Sequence, residues 1–264
     1  MTDELDHAPE AVDWQGRNLD CTTCPNASLN QAGRCRAGHA CVFDRYARRI
    51  DRYFRWNPTT ASEYVDHPYF EVRAIIAKYV DVFHLQRLSQ DHDETVRLSV
   101  AMRIPQRGLL RMRGDVDREV RIRVAQRIDV SELGPMMNDP DYFVRVIVAR
   151  RLPVGMLRRM ILDPDPEVRS EVAKRIDEGR LYSMCNDPEG AVRLIVAQRL
   201  PAALLAFLAG DTDWRIRFEV ARRIDDATLL QRLSRDEDPM VSEAARERLA
   251  VDGHARRTSA EAGS

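Results

Sequence analysis

The residues best suited to inorganic chemistry are four cysteines, Cys21, Cys24, Cys35 and Cys41, spaced Cys-x2-Cys-x10-Cys-x5-Cys. Thiolates are soft anionic donors. Four of them on a stretch that also holds Pro25, Gly33 and Gly38 can enclose either a tetrahedral zinc ion or an iron–sulfur cluster. A structural zinc site made of four cysteines usually draws them from two close pairs. Here only the first pair is close, and the last two cysteines stand six residues apart. A wide, uneven span suits a cubane, whose irons present four separated corners. Pro25 directly after a ligand also has a counterpart in one bacterial ferredoxin run. Arg34 and Arg36 flank Cys35 and would offset the negative charge of a thiolate-ligated centre. His39 reads as a loop histidine, since four cysteines already complete a ligand set. Cys185 reads as a packing residue, because the same repeat position elsewhere holds Arg113, Met137, Ile161 and Ala209.

Composition sets the context for these thiols. The chain has 264 residues, and Lys+Arg 41 against Asp+Glu 42 gives a formal net charge of −1. Such balance offers no global excess for nucleic acid or an acidic membrane surface. No long uncharged apolar run provides a membrane span. The opening Met-Thr-Asp-Glu-Leu-Asp-His lacks the basic-then-apolar layout of a signal peptide. The expected compartment is therefore the cytoplasm, where thiols stay reduced and a cysteine cluster reads as a metal site rather than a disulfide framework.

The elements that must position the cysteines are mostly copies of one unit. Taking Val168 as anchor, steps of 24 residues land on Val72, Val96, Val120, Val144, Val192 and Ile216, with an eighth anchor, Val241, one residue late. An arginine follows seven of the eight anchors, from Arg73 to Arg217, and a second arginine stands seven residues after the anchor from Arg103 to Arg248. Apolar residues at the anchor and at +4, +5 and +8, such as Val168, Val172, Ala173 and Ile176, share one face of a helix. Two acids precede that face, as Asp163 and Asp165 do. The second is placed to cap the helix. At +9 the chain alternates Asp81, Pro105, Asp129, Pro153, Asp177, Pro201, Asp225, and an apolar pair follows, as in Leu157 and Met160. This predicts a second, short helix opened by Asp as cap or by Pro as first residue.

A 24-residue unit is too short for the paired helices of tetratricopeptide, ankyrin or HEAT repeats, and it lacks the alternating strand of leucine-rich repeats. The fold class is therefore an all-α solenoid, with one longer and one shorter helix per unit. A single unit buries too little apolar surface to offset its own ordering, so stability must come from stacked neighbours. Residues 1–20 read as a mobile polar lead-in whose Trp14 and Leu19 can pack on the next segment, and 21–62 as the cysteine module. Residues 63–250 form the eight-repeat array, and 251–264 a disordered tail. A helix is expected to leave the cysteine loop at Val42. Its dense aromatics would cap the stack or shield the metal, and Asn57–Ser62 would serve as a hinge.

The cysteine block followed by a Val-Arg-x-x-Val-Ala-x-Arg-Ile/Leu array resembles the leucine-rich repeat variant family, in particular its iron–sulfur members from nitrogen-fixing bacteria. The resemblance covers about residues 21–250. It implies a [4Fe-4S] cluster held by Cys21, Cys24, Cys35 and Cys41. It also implies alternating α and 3₁₀ helices wound into a right-handed superhelix, and it brings no established activity. Tyr79 in place of the second arginine of the first copy, and Ser242 in place of the first arginine of the last, depart from the pattern. No phosphate-binding glycine loop, radical-type cysteine triplet or zinc-protease motif points to an enzyme. The expected function is non-catalytic: a cluster-carrying, redox-linked or redox-sensing scaffold, with a protein partner on the repeat surface and no membrane. A nucleic-acid-binding solenoid using arginine ribbons and a zinc-stapled scaffold are the alternatives. Against the ribbons stands a ladder of ion pairs with acids of the same or the next unit.

Overall fold

The computed structural model describes the backbone of residues 11–261 and side chains through residue 251. Every regular element among the described residues is a helix; the only bridges are the isolated Val12–Asn18 and Arg36–Ala40 pairs. The chain divides into two compact units, Met1–Glu132 and Leu133–Ser264.

In the first unit, helix Ala47–Trp56 packs on Phe70–Ile76, which packs on Glu94–Ala101, which in turn packs on Arg118–Arg127. Short helices Val82–Leu88 and Gln106–Met112 close the first two repeats. The second unit repeats the scheme with Tyr142–Arg151, Pro166–Arg175, Gly190–Arg199, Trp214–Arg223 and Pro239–Glu261, each packed on the next. Here the short elements are largely 3₁₀, as Val154–Met160 and Ala202–Leu208. The anchor, +4 and +5 positions are fully buried in the first seven copies, for example Val168, Val172 and Ala173.

Where the second acid is aspartate it does cap its helix: Asp117 accepts from the amides of Glu119 and Val120, and Asp165 from Glu167; Glu189, one methylene longer, stands at the cap position without a side-chain bond. At +9, proline is itself the cap residue. It precedes the short helix at Pro105, Pro153 and Pro201 instead of standing first inside it. The late eighth anchor follows from an extra residue here, since Asp226 rather than Asp225 caps Ala227–Leu233.

The repeating arginines lie inside the stack rather than forming a ribbon. Arg169 and Asp187 are 8% and 9% exposed. Arg169 grips both carboxylate oxygens, Nε to Oδ2 at 2.7 Å and an Nη to Oδ1 at 2.9 Å. Its other nitrogen donates to the carbonyls of Asp163 and Pro164. Arg73–Asp91, Arg97–Asp115, Arg145–Asp163, Arg193–Asp211 and Arg217–Asp236 repeat the arrangement. The second arginine serves the helix before it: Arg199 donates to the carbonyls of Ala173 and Ile176 at 2.6 and 3.0 Å. Those belong to the last turn of the preceding repeat helix, where carbonyls lack partners within the helix. At the departures from the pattern, the Tyr79 hydroxyl reaches the Asp51 carboxylate at 3.2 Å, and the Ser242 hydroxyl donates to the Pro239 carbonyl at 3.1 Å.

Four expectations from sequence change. Residues 11–20 are docked. Asp13 accepts from the amides of Gln15 and Arg17 and from the Arg17 side chain, closing a turn that stacks Trp14 on Tyr69 at 5.7 Å. Residues 1–10 lie outside the described part. The helix starts at Ala47, not Val42, because Asp44 accepts from the Tyr46 amide and pairs with Arg49, holding the approach as a turn. Asn57–Ser62 is no hinge: Asn57 is fully buried, and a 3₁₀ helix runs Pro58–Tyr64. The last helix continues through Glu261, where a disordered tail was expected; it extends helix Pro239–Glu261 past the last repeat without a break. Residues 262–264 lie outside the described part.

Replacing Arg169 by Ala should strand a buried carboxylate and cost about 3–5 kcal/mol, whereas replacing the exposed Arg150, which leaves Glu171 its bond to Lys174, should cost under about 1 kcal/mol. Urea midpoints would separate the two. Burial alone would raise Asp91 and Asp211, but hydrogen bonds and charge from Arg73 and Arg193 hold both below the ordinary 3.8. In Asp236 the Arg217 hydrogen bond leads and has the same effect. The stability these carboxylates contribute is whole above 3.8 and is withdrawn as pH falls below it, through their depressed pKa values. Acid titration of the helical circular dichroism should show loss of structure beginning below about pH 4.

Candidate metal centre

The cysteine module is a set of tight turns fixed by side-chain hydrogen bonds. Asp20 accepts from the Thr22 amide and from the Thr22 and Thr23 hydroxyls, at 2.6–2.9 Å, which holds the Cys21 turn. The amide of Asn26 points at Cys24 Sγ from 3.4 Å, and the short helix Ala27–Gln31 follows. Gly33, at φ 71°, then turns the chain into Cys35, whose carbonyl accepts from Asn30 Nδ2 at 2.8 Å.

The wide spacing of the last two cysteines has a simple cause. Arg36 and Ala40 exchange both backbone hydrogen bonds at 2.8 Å, and Gly38, at φ 68°, makes the turn between them. A hairpin of this size returns its flanking residues side by side, so Cys35 and Cys41 meet across its base. Their thiols share a hydrogen bond. That bond lowers the pKa of Cys35 and, together with burial, raises that of Cys41. Burial also pushes the Cys24 thiol up. Cys35 and Cys41 are buried, and Cys21 and Cys24 half-buried.

All four cysteines line one cavity of about 460 Å³, with Trp14, Leu19 and Phe43 supplying apolar wall. Among the described residues, no three His, Cys, Asp or Glu side chains converge closely enough to hold a single ion. The donor set, four thiols around a space larger than an ion, fits a thiolate-bound cluster. His39 is exposed and lies against Arg52 Nη1 at 2.9 Å, away from the cavity wall. Cys185 is 5% exposed in the repeat core.

Sequence reasoning missed the supports. Asn57 Nδ2 bridges the carbonyls of Arg34 and Tyr53 at 2.8 and 3.0 Å, fastening the Cys35 loop to helix Ala47–Trp56. Tyr64, beyond the expected module boundary, bonds the Asn26 side chain at 2.8 Å. An asparagine before a proline carries no signal that separates a buried tether from a loop residue.

Comparison with known proteins follows the same divisions. A family described as "LRV protein FeS4 cluster" matches residues 11–63, and one described as "Leucine rich repeat variant" matches residues 142–165. A solved structure described as a leucine-rich repeat variant with a novel repetitive structural motif is 42% identical, with a TM-score of 0.80. The match covers 86% of this chain and 97% of that one. The chain belongs to the leucine-rich repeat variant family. It is an iron–sulfur-binding repeat protein of that family, and the family match for the cluster part begins at residue 11, within the docked lead-in. An uncharacterized 27.7 kDa protein from the nifB 3' region of Rhodobacter capsulatus is 43% identical over 101 residues, 38% of this chain. The match spans 41% of that relative's length.

Asn57→Ala should free the Arg34 carbonyl and loosen the loop that presents Cys35. Hydrogen exchange across residues 33–41 should quicken while that of Pro166–Arg175 stays unchanged; equal protection in both segments would contradict the tether.

Proposed function

We propose that this protein carries a [4Fe-4S] cluster ligated by Cys21, Cys24, Cys35 and Cys41, and that it is a non-catalytic, redox-linked or redox-sensing scaffold of the cytoplasm. The observation that carries the reading is the placement of all four thiols on one cavity. A zinc ion would need its sulfurs about 3.8 Å apart, from Zn–S bonds of about 2.3 Å in a tetrahedron. Cys35 and Cys41 meet, but among the described residues no third such side chain joins them closely enough to hold a single ion, which favours a larger body.

When bound, such a cluster supplies one-electron redox chemistry. The chain's own residues set its conditions. The Asn26 amide donates toward Cys24 Sγ, withdrawing charge from that sulfur. Trp14, Leu19 and Phe43 keep water from part of the cavity. Half-buried Cys21 and Cys24 leave the other side open to solvent and to oxidants. Loading must release the thiol protons that burial retains on Cys24, and that the bond to Cys35 together with burial retains on Cys41. The repeats give a rigid base on which a partner protein can dock. The compartment follows from the reduced thiols such a centre needs; among the described residues no helix is long and apolar enough to cross a membrane.

The nucleic-acid alternative loses its main support, because the arginines that would form its ribbons are bonded to carboxylates and carbonyls inside the stack.

Anaerobically purified protein should be brown. Ser at any one of Cys21, Cys24, Cys35 or Cys41 should remove most of the visible absorption and iron, while Cys185→Ser should retain both. Full absorption in Cys35→Ser and Cys41→Ser, or a colourless parent protein holding one zinc, would reject the assignment.

A further inference from the structure

The cysteine module differs from the repeats in how its charge is used. Residues 34–55 hold seven arginines, no lysine and two aspartates, a formal +5 in a chain whose total is −1. Both aspartates are already engaged, Asp44 by Arg49 and Asp51 by Arg55 and Lys78. Arg34 donates only to the Trp56 carbonyl, and Arg52 to the ring and carbonyl of His39. Arg36 and Arg48 are exposed and find no carboxylate among the described residues. In the repeats, by contrast, the arginine after the anchor is paired with an aspartate in six described pairs and buried in five of them, Arg193 being half-buried.

These cations occupy one place. Arg52 lies on His39, Arg34 reaches Trp56, and the Cys41 amide bonds the Arg49 carbonyl. The hairpin that carries Arg36 is thereby fastened to the helix that carries Arg48, with Cys35 and Cys41 buried at the hairpin's base. Unneutralised guanidinium groups fixed on a rigid base make a site of strong positive potential, suited to bidentate carboxylate recognition.

We propose that this arginine face is a docking surface for a carboxylate-rich protein, which it seats over the Cys35–Cys41 side of the cluster. The inference rests on the cluster reading for its purpose, but not for its charge. Phosphate-tracking surfaces extend along the strand they bind. Here the free cations form one compact group, and the longer arginine series is consumed internally. A protein partner therefore fits better than a nucleic acid.

The test uses the full-length protein with its metal centre and two probes of equal charge, a labelled polyglutamate peptide and oligothymidylate. Polyglutamate should bind at about 20 mM salt and be released near 0.5 M. The double substitution Arg36→Glu and Arg48→Glu should weaken binding at least about tenfold, while Arg158→Glu with Arg159→Glu, on an exposed stretch of the repeats, should leave it unchanged. Visible absorption and helical circular dichroism check that each variant folds, and Arg48→Gln alone keeps the comparison if the double variant does not. No binding at low salt, an equal loss in both double variants, tighter binding of oligothymidylate, or a salt-reversible dimer of this chain would each overturn the proposal. A colourless protein that still binds polyglutamate through Arg36 and Arg48 would remove the cluster reading and leave the surface standing.

Discussion

A guanidinium buried between two repeats must have every donor satisfied, and this chain solves that problem the same way along each unit. The arginine after the anchor grips both oxygens of an aspartate 18 residues on, and turns its remaining nitrogen to carbonyls of its own repeat. The same aspartate accepts an amide two residues ahead, as Asp187 does from Glu189. One charge pair therefore fixes the entry to the next helix, the spacing between repeats and the turn between them. Burying the pair is costly unless the network is complete, and a complete network tolerates little change in register.

The second arginine continues the logic in the opposite direction, completing the last turn of the helix before it. Neighbouring repeats within one compact unit are thus tied forward by a carboxylate and backward by carbonyls, over a face of Val, Ala and Leu side chains. At the leading end the Tyr79 hydroxyl and Lys78 reach Asp51 of the cysteine module. The module is in this way packed on the first repeat as one more member ahead of it.

The helical period, the cap residues and the four cysteines were legible because each depends on local spacing. Asp165 must precede its helix to cap it, and Val168, Val172 and Ala173 must share a face. The direction of the arginine contacts was only half legible. Sequence shows charges in balance but not whether Arg169 faces water or Asp187, since both positions suit an exposed helix start. The tether from Asn57 was not legible at all, and the docking of Trp14 was legible only as packing on the segment that follows it, not on Tyr69. They join residues distant in sequence, through contacts that no periodicity records. Proline at the cap position was misplaced by one residue, because a missing amide suits the residue before a short helix as well as the first one in it.

The functional account depends on four thiols sharing one inorganic body at the end of this stack. Mössbauer spectroscopy of protein grown on ⁵⁷Fe and purified without oxygen measures that body directly. Overlapping quadrupole doublets of valence-delocalised iron, integrating to about four iron atoms per chain, are the result the account predicts. A two-iron signal, a single isolated ferrous or ferric site, or an absence of iron beside stoichiometric zinc would contradict it.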